Sequence, residues 1–266
     1  MNTKKILVTL LALSMAAGAA GCKYEIELET EATDSIVIPS DISEETSEET
    51  SEESESSEAA GTSFEEGPVT DQILSFAEHT DVWYRPSDVD EYYYCVTDLD
   101  ADGGLELIAA TSSGSGDFTT ANVYVADNVE VRECSTNLGD GDFFPNIIVD
   151  SGTSVTVFQE GGVLNYVFYY NNNSGDLESS TVTSLLAYSD EHIDITDLCQ
   201  RKDSEGVVTF TDLLTGEAID ESTYNGYLAN YLSGLTTSVA HFQWVRIDDP
   251  TDCASALMLS YNGFSN

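Results

Sequence analysis

The sequence VLNYVFYYNNNSGDLESSTVTSLLAY occupies residues 163–188 and gives the clearest indication of the architecture. Residues 163–170 and 180–188 are rich in β-branched and aromatic side chains, which favour strands. Residues 171–176 have the Asn- and Gly-containing composition of a hairpin tip, where positive φ angles are tolerated. The two flanking segments are therefore predicted to be neighbouring antiparallel strands.

Further strand-like segments lie on both sides of this hairpin, and turn-forming residues separate them. They are predicted at residues 92–97, 105–111, 121–133, 154–159, 207–211 and 240–247. Helices are predicted at residues 70–79, 221–235 and 252–262. Because helices do not alternate with strands, a parallel doubly wound sheet is disfavoured. We expect an α+β domain, with a mainly antiparallel β-sheet and a few flanking helices.

Residues 98–106 read DLDADGGLE, in which acids at alternate positions are followed by glycine. Calcium takes six to eight oxygen ligands, so a short loop must turn sharply to direct successive side chains inward. Gly103, at loop position six, would permit that turn. The predicted ligands are Asp98, Asp100 and Asp102 at positions one, three and five, the carbonyl of Gly104, and Glu106 at position nine, with waters completing the shell.

The loop does not match every calcium motif. A twelve-residue EF-hand loop needs an acid at its last position, which is Ala109 here, and no helix is predicted on either side. The dockerin pattern fails at the same residue. The motif, followed by the apolar strand at residues 105–110, instead resembles the nine-residue loops of FG-GAP and related extracellular bacterial domains, including uncharacterised lipoproteins of Gram-positive bacteria. This resemblance covers about 15 residues.

The position of the loop between two predicted strands favours a structural Ca²⁺ ion that fastens them together and adds to folding stability. The alternative is an Asp-rich turn that side-chain to backbone hydrogen bonds hold without an ion. Residues 137–142 repeat the composition of the loop without its register, which makes a second calcium site there a weaker hypothesis.

The amino-terminal residues have the layout of a secretory signal: two lysines, an apolar run at residues 6–17, and then small residues. The run is shorter than the roughly 20 apolar residues of a membrane span. Residues 19–22, AAGC, resemble a bacterial lipobox, with Ala19 where Leu is usual. The resemblance implies removal of residues 1–21, lipidation of Cys22, and a lipid anchor in the cell membrane at its extracytoplasmic face. An ordinary signal peptide with an incidental cysteine is the alternative.

Residues 22–66 carry sixteen acids and a single base, Lys23, and they cannot form an apolar core. Like-charge repulsion extends such a segment, so we expect a disordered tether, with an acidic tail that binds a basic partner as the alternative. Residues 67–266 are predicted to form a single globular domain. The net charge of −41 and the eight bases disfavour nucleic acid as a partner.

Four cysteines remain if Cys22 carries lipid. An even number in an exported domain allows the hypothesis of two disulfides, in three alternative connectivities. No Cys-x-x-Cys occurs, which disfavours a zinc ribbon and a thioredoxin-like site. The residues are Cys95, Cys134, Cys199 and Cys253.

No catalytic residues are predicted. His79, His192 and His241 are scattered, and neither His-Glu-x-x-His nor Gly-x-Ser-x-Gly occurs. In so acidic a chain a pair of carboxylates carries little information about glycosidase chemistry. An extracellular enzyme, such as a hydrolase of cell-surface polymers, is therefore an alternative rather than the first choice.

By elimination, a binding or interaction domain is favoured, with a cell-surface protein or glycan as its partner. Aromatic side chains are candidates for the binding surface, although packing in the sheet is the favoured explanation for them. They are Trp83, Tyr84, Tyr92, Tyr94 and Trp244. A structural subunit of an envelope complex is the third alternative.

Overall fold

Twelve strands and four helices are present in the residues that the computed structural model describes, which are 67–86, 91–113, 118–127, 130–139, 142–173 and 178–266. The predicted signal, Cys22 and the tether lie outside the described residues, as do Asp140 and Gly141 of the weaker calcium hypothesis and residues 174–176 of the hairpin tip.

The strands alternate with short turns over most of the described chain. They are β1 (Tyr92–Thr97), β2 (Glu106–Ser113), β3 (Phe118–Ala126), β4 (Val131–Glu133), β5 (Ser135–Thr136), β6 (Ser154–Glu160), β7 (Val163–Asn173), β8 (Glu178–Ser189), β9 (His192–Ser204), β10 (Val207–Asp212), β11 (Glu217–Ile219) and β12 (Thr237–His241). The helices are α1 (Pro68–Glu78), α2 (Thr80–Trp83), α3 (Glu221–Tyr231) and α4 (Ala254–Gly263), and a 3₁₀ turn, Pro250–Asp252, precedes α4.

The strands form two sheets. The first has the order β1-β2-β3-β4, and the second has the order β11-β10-β9-β8-β7-β6-β12, with β5 beside β9. Every pairing between these strands is antiparallel except the short one between β5 and β9. The predicted hairpin of β7 and β8 is confirmed, with Tyr170 opposite Val182. The described part of the chain is therefore mainly antiparallel β-structure with four helices.

The two sheets pack face to face. Ile108 of the first sheet and Tyr166 of the second lie in the same buried cluster, which places the central core between the sheets. On β2, Leu107 and Ala109 point the other way, into a second cluster that α1, α2 and α4 cover. The outer face of the second sheet packs on α3. Because both faces of the first sheet are covered, a strand such as β2 contains a continuous run of apolar residues in the sequence.

Several segments differ from the sequence prediction: the short elements α2, β5 and β11 have no predicted counterpart, and the helix predicted at residues 221–235 ends at Tyr231. Three larger differences follow. The predicted strand at residues 121–133 is two strands, because a turn closed by the Asp127 N–H and the Glu130 carbonyl interrupts it. The predicted strand at residues 240–247 is β12, which begins earlier and ends at His241. Strand β9 has no counterpart in the sequence prediction, because its Asp, Gln, Arg and Lys residues give it a polar composition. It pairs with β8 on one side and β10 on the other.

The disulfide hypothesis is wrong for this structure, because all four described cysteines are free and buried. Cys95 and Cys134 lie in the central core, and Cys253 lies in the cluster below α1 and α4. Burial raises the pKa of Cys95 and Cys134 to about 12, which keeps these side chains as unreactive thiols. The cysteines therefore act as small apolar core residues rather than as cross-links.

Candidate metal site between β1 and β2

The aspartate loop connects the paired ends of β1 and β2, where Thr97 lies opposite Glu106. The structure brings three of the predicted ligands together: Asp98, Asp100 and Asp102 each offer a carboxylate oxygen, and these oxygens lie within 4.8 Å of one another. Among the described residues this is the group of acidic, His or Cys side chains that can hold a metal ion. No helix directly flanks the loop within the described chain, which agrees with the exclusion of an EF-hand.

The loop folds around its own carboxylates. The Asp98 carboxylate accepts hydrogen bonds from the backbone N–H groups of Asp102, at 3.0 Å, and Gly103, at 3.2 Å. Gly103 has φ of 88°, a conformation that favours glycine. The N–H of Gly104 donates to Asp102 Oδ1 at 2.6 Å, and a Cβ at Gly104 would lie 2.9 Å from that oxygen. Gly103 is therefore needed for the path of the backbone, whereas a side chain at Gly104 would displace the Asp102 carboxylate.

The charges in the loop repel one another. Burial raises the pKa of Asp98, and burial followed by the Asp102 charge raises the pKa of Asp100. Each shift means that the surroundings disfavour the ionised carboxylate. A divalent cation among the three oxygens would reverse that preference, because an opposite charge at short range favours the ionised form.

Glu106 lies deeper than the three aspartates, with only 1% of its surface exposed. Its Oε2 accepts a hydrogen bond from the Leu99 N–H at 2.7 Å and lies 3.4 Å from the Thr97 hydroxyl. Burial raises the pKa of Glu106 well above its usual range, and the charges of the three aspartates raise it further. Glu106 is thus a buried acid beside the group of three, so three of the four predicted carboxylate ligands converge here, and the fourth lies next to them.

Side chains from distant elements hold the loop from outside. The Gln72 amide of α1 donates to the Gly103 carbonyl at 3.0 Å and accepts from the Leu105 N–H at 2.8 Å. The Tyr166 hydroxyl donates to the Leu99 carbonyl at 2.8 Å, and the Asn266 amide donates to the Asp98 carbonyl at 2.8 Å. No local sequence pattern connects these residues with the loop, so the motif alone does not predict them.

A cavity of about 220 Å³ borders the loop, and Asp102, Gly104 and Glu106 contribute to its wall. Arg132 also lines the cavity and is already paired, with Glu191 at 2.7 Å and Asp127 at 2.5 Å. The cavity is large enough and polar enough to hold waters. Water ligands are therefore available to a cation bound at the loop.

We expect that Ala101→Gly stabilises the protein by about 0.5–1 kcal/mol. Ala101 lies at loop position four with φ of 60°, a left-handed conformation that glycine adopts without strain. Urea denaturation measures the change, and Gly103→Ala, at φ of 88°, serves as the opposite case, expected to destabilise. An Ala101→Gly protein less stable than the wild type would contradict the left-handed backbone conformation at Ala101.

The aromatic side chains considered for binding are parts of the core. Trp83 and Tyr94 are almost completely buried, with ring centroids 5.2 Å apart in an edge-to-face contact. Tyr84 and Tyr92 pack against the same cluster, and Trp244 packs against the central core. None of the five forms an exposed binding surface.

The histidines remain apart, since His79 follows α1, His192 begins β9 and His241 ends β12. One arrangement nevertheless resembles a nucleophile and its base: Ser135 Oγ lies 2.6 Å from His192 Nδ1, and His192 Nε2 lies 3.4 Å from Asp194 Oδ1. Ser135 is exposed, and the Asp194 side chain is 52% exposed. This is an exposed contact between neighbouring strands, without the water-excluding site that catalysis by such groups needs.

Comparison of the chain with protein-family models, curated proteins and solved structures gives no match. In the described part of the chain, no helix is both long enough and apolar enough to cross a bilayer.

Proposed function

We propose that this chain is a lipid-anchored protein of the extracytoplasmic membrane face, with a calcium-stabilised binding or interaction domain of the α+β class. The observation that carries the proposal is the aspartate loop, in which three carboxylates converge within 4.8 Å and a glycine sets the turn. The proposed ligands are Asp98, Asp100, Asp102, the Gly104 carbonyl and Glu106.

The donor set favours calcium over other ions. Only oxygen ligands are proposed, which disfavours zinc and copper sites built from thiolates and imidazoles. Magnesium requires near-ideal octahedral geometry, whereas calcium accepts six to eight oxygens from an irregular shell that includes waters. The adjacent cavity supports such a shell.

The role proposed for the ion is structural: it would join the ends of β1 and β2 across the Thr97–Glu106 pair. The contacts from Gln72, Tyr166 and Asn266 support this role, because they already fix the backbone on which the ligands stand. Preformed ligands lower the entropic cost of binding. At extracellular calcium concentrations a site with a Kd of about 0.1–1 mM stays largely occupied.

Lipidation at Cys22 is tested by mass spectrometry of the mature protein, made in a bacterial host that processes lipoproteins. We expect residues 1–21 to be absent and Cys22 to carry a thioether-linked lipid. The denatured, unreduced protein should then show four free thiols, from the four buried cysteines. Cys22→Ser is the control: it should lose the lipid and keep four thiols. An unmodified Cys22, which gives five thiols, would contradict the anchor.

Two alternatives have their own tests. The Ser135–His192 contact is the geometric argument for a hydrolase, and labelling of Ser135 by a fluorophosphonate probe would favour that function. A structural subunit of an envelope complex would be recovered with stable partner proteins after cross-linking and pull-down from intact cells. A cell-surface protein or glycan bound reversibly by the isolated chain favours the binding domain.

A further inference from the structure

A cavity of about 380 Å³ opens where β6 and β7 separate. The two strands are paired from Glu160 opposite Val163 to Val157 opposite Tyr166. The pairing ends there, although β7 continues to Asn173. Beyond that point the loop before β6 approaches β7 instead, and the Asn146 N–H donates to the Tyr169 carbonyl at 3.2 Å. The cavity is thus bounded by two diverging strands and an ordered loop.

The lining of this cavity is uncharged, in a chain whose net charge is −41. The amide of Asn146 and the hydroxyls of Thr153, Ser154 and Thr156 contribute to it, and these side chains make no hydrogen bond to other residues in the described part of the chain. They are available to a ligand as neutral donors and acceptors.

An aromatic side chain stands at the same cavity. Tyr169 lines it and is 51% exposed, whereas the neighbouring Phe168, which also contributes to the lining, is 2% exposed and belongs to the central core. A half-exposed tyrosine offers a flat apolar surface on which a ring can stack. The cavity therefore combines one exposed aromatic surface and several apolar side chains with hydroxyl and amide groups.

We propose that this cavity binds a neutral polyhydroxylated ring, that is, one uncharged sugar residue of a glycan. The volume lies near the lower end of the roughly 300–1,000 Å³ found for small-molecule sites, which suits a single ring. Sugar hydroxyls pair with the Asn146, Thr153, Ser154 and Thr156 groups, and the apolar face of the ring stacks on Tyr169.

Charged ligands fit this cavity less well. The described bases, Arg85, Arg132, Arg201, Lys202 and Arg246, are all engaged elsewhere and do not line it, so an anionic sugar finds no counter-charge. The lining also lacks the carboxylates that a cationic sugar would need. An added peptide strand is disfavoured too, because the Tyr169 carbonyl on this edge of β7 already accepts the Asn146 N–H.

The inference rests on the proposal that the domain is a binding module, but it depends on neither the ion nor the lipid. The test is saturation-transfer NMR of the full chain with five neutral sugars at millimolar concentration: glucose, galactose, mannose, N-acetylglucosamine and N-acetylgalactosamine. Glucuronate and glucosamine serve as charged comparisons. We expect transfer to at least one neutral sugar and weaker transfer to its charged counterpart.

Two variants place the binding in the cavity. Tyr169→Ala removes the stacking surface and should weaken the affinity about tenfold. Thr156→Val keeps the side-chain shape and removes one hydroxyl, so a severalfold loss is expected. The matched controls are Tyr93→Ala on β1 and Thr209→Val on β10, neither of which lines the cavity, and both should bind as the wild type does.

Two results would overturn the assignment: no transfer to any of the five sugars, or equal binding by Tyr169→Ala and the wild type. Calcium titrations of the same variants separate this inference from the proposed function. If Tyr169→Ala loses the sugar and keeps the calcium response, both stand. If sugars fail while calcium binds, only the sugar site is wrong.

Discussion

Calcium is expected to raise the free energy of unfolding of the full chain by about 1.4–2.7 kcal/mol at concentrations about 10 to 100 times the Kd, and Asp100→Ala is expected to abolish the rise. An ion that binds only the folded loop stabilises by this linkage. Asp100 is one of the three converging carboxylates, so its removal would delete one of the proposed ligands.

The measurement is chemical denaturation of the wild type and of Asp100→Ala, each with calcium and with a chelator. Asp150→Asn is the matched control, since Asp150 is exposed and lies outside the loop, and it should keep the full calcium response. Magnesium at the same concentration should stabilise much less, because it dehydrates reluctantly and demands a stricter geometry. An Asp100→Ala protein that keeps the wild-type calcium response would remove the site.

The convergence of the three aspartates of the candidate site is predictable from the sequence, because they are contiguous in it. Asp98, Asp100 and Asp102 lie two residues apart, so a coiled loop brings their carboxylates together whatever the rest of the fold does. The outer contacts could not be predicted this way. Gln72 and Asn266 reach the loop across 31 and 168 residues of sequence, and only the packing of α1 and of the residues after α4 brings them there.

The fold, like the candidate site, has elements with a local sequence signal and elements that only pairing with distant segments forms. The β7–β8 hairpin was predicted because its strands and its tip each carry a local signal. Strand β9, with thirteen residues, was missed because its polar residues give no strand pattern, and pairing with β8 and β10 forms it nonetheless. The cavity between β6 and β7 arises where the backbone hydrogen bonds between these two strands end. No residue type in the sequence indicates that end point.

Glu106→Gln is expected to have opposite effects with and without calcium. In a chelator, the wild type holds a buried carboxylate next to three others, and burial and their charges raise its pKa. The substituted amide would keep an oxygen for the Leu99 N–H and remove the buried charge, so the variant should be more stable than the wild type by about 1–2 kcal/mol. With saturating calcium, the variant lacks a charged ligand and should be the less stable of the two.

The pH dependence gives a second measurement of the same charge. Because the folded-state pKa of Glu106 is raised, the folded state binds its proton more tightly than the unfolded state does. In a chelator, the wild type should therefore lose stability as the pH rises from its unfolded pKa of about 4.3 to the raised folded value, and Glu106→Gln should lose less. Glu217→Gln, at an exposed residue of β11, controls for the loss of one acid and should follow the wild type. The order of stability of Glu106→Gln and the wild type should reverse between calcium and the chelator. If the order is the same in both, Glu106 is not a calcium ligand, and the three aspartates alone supply the carboxylates.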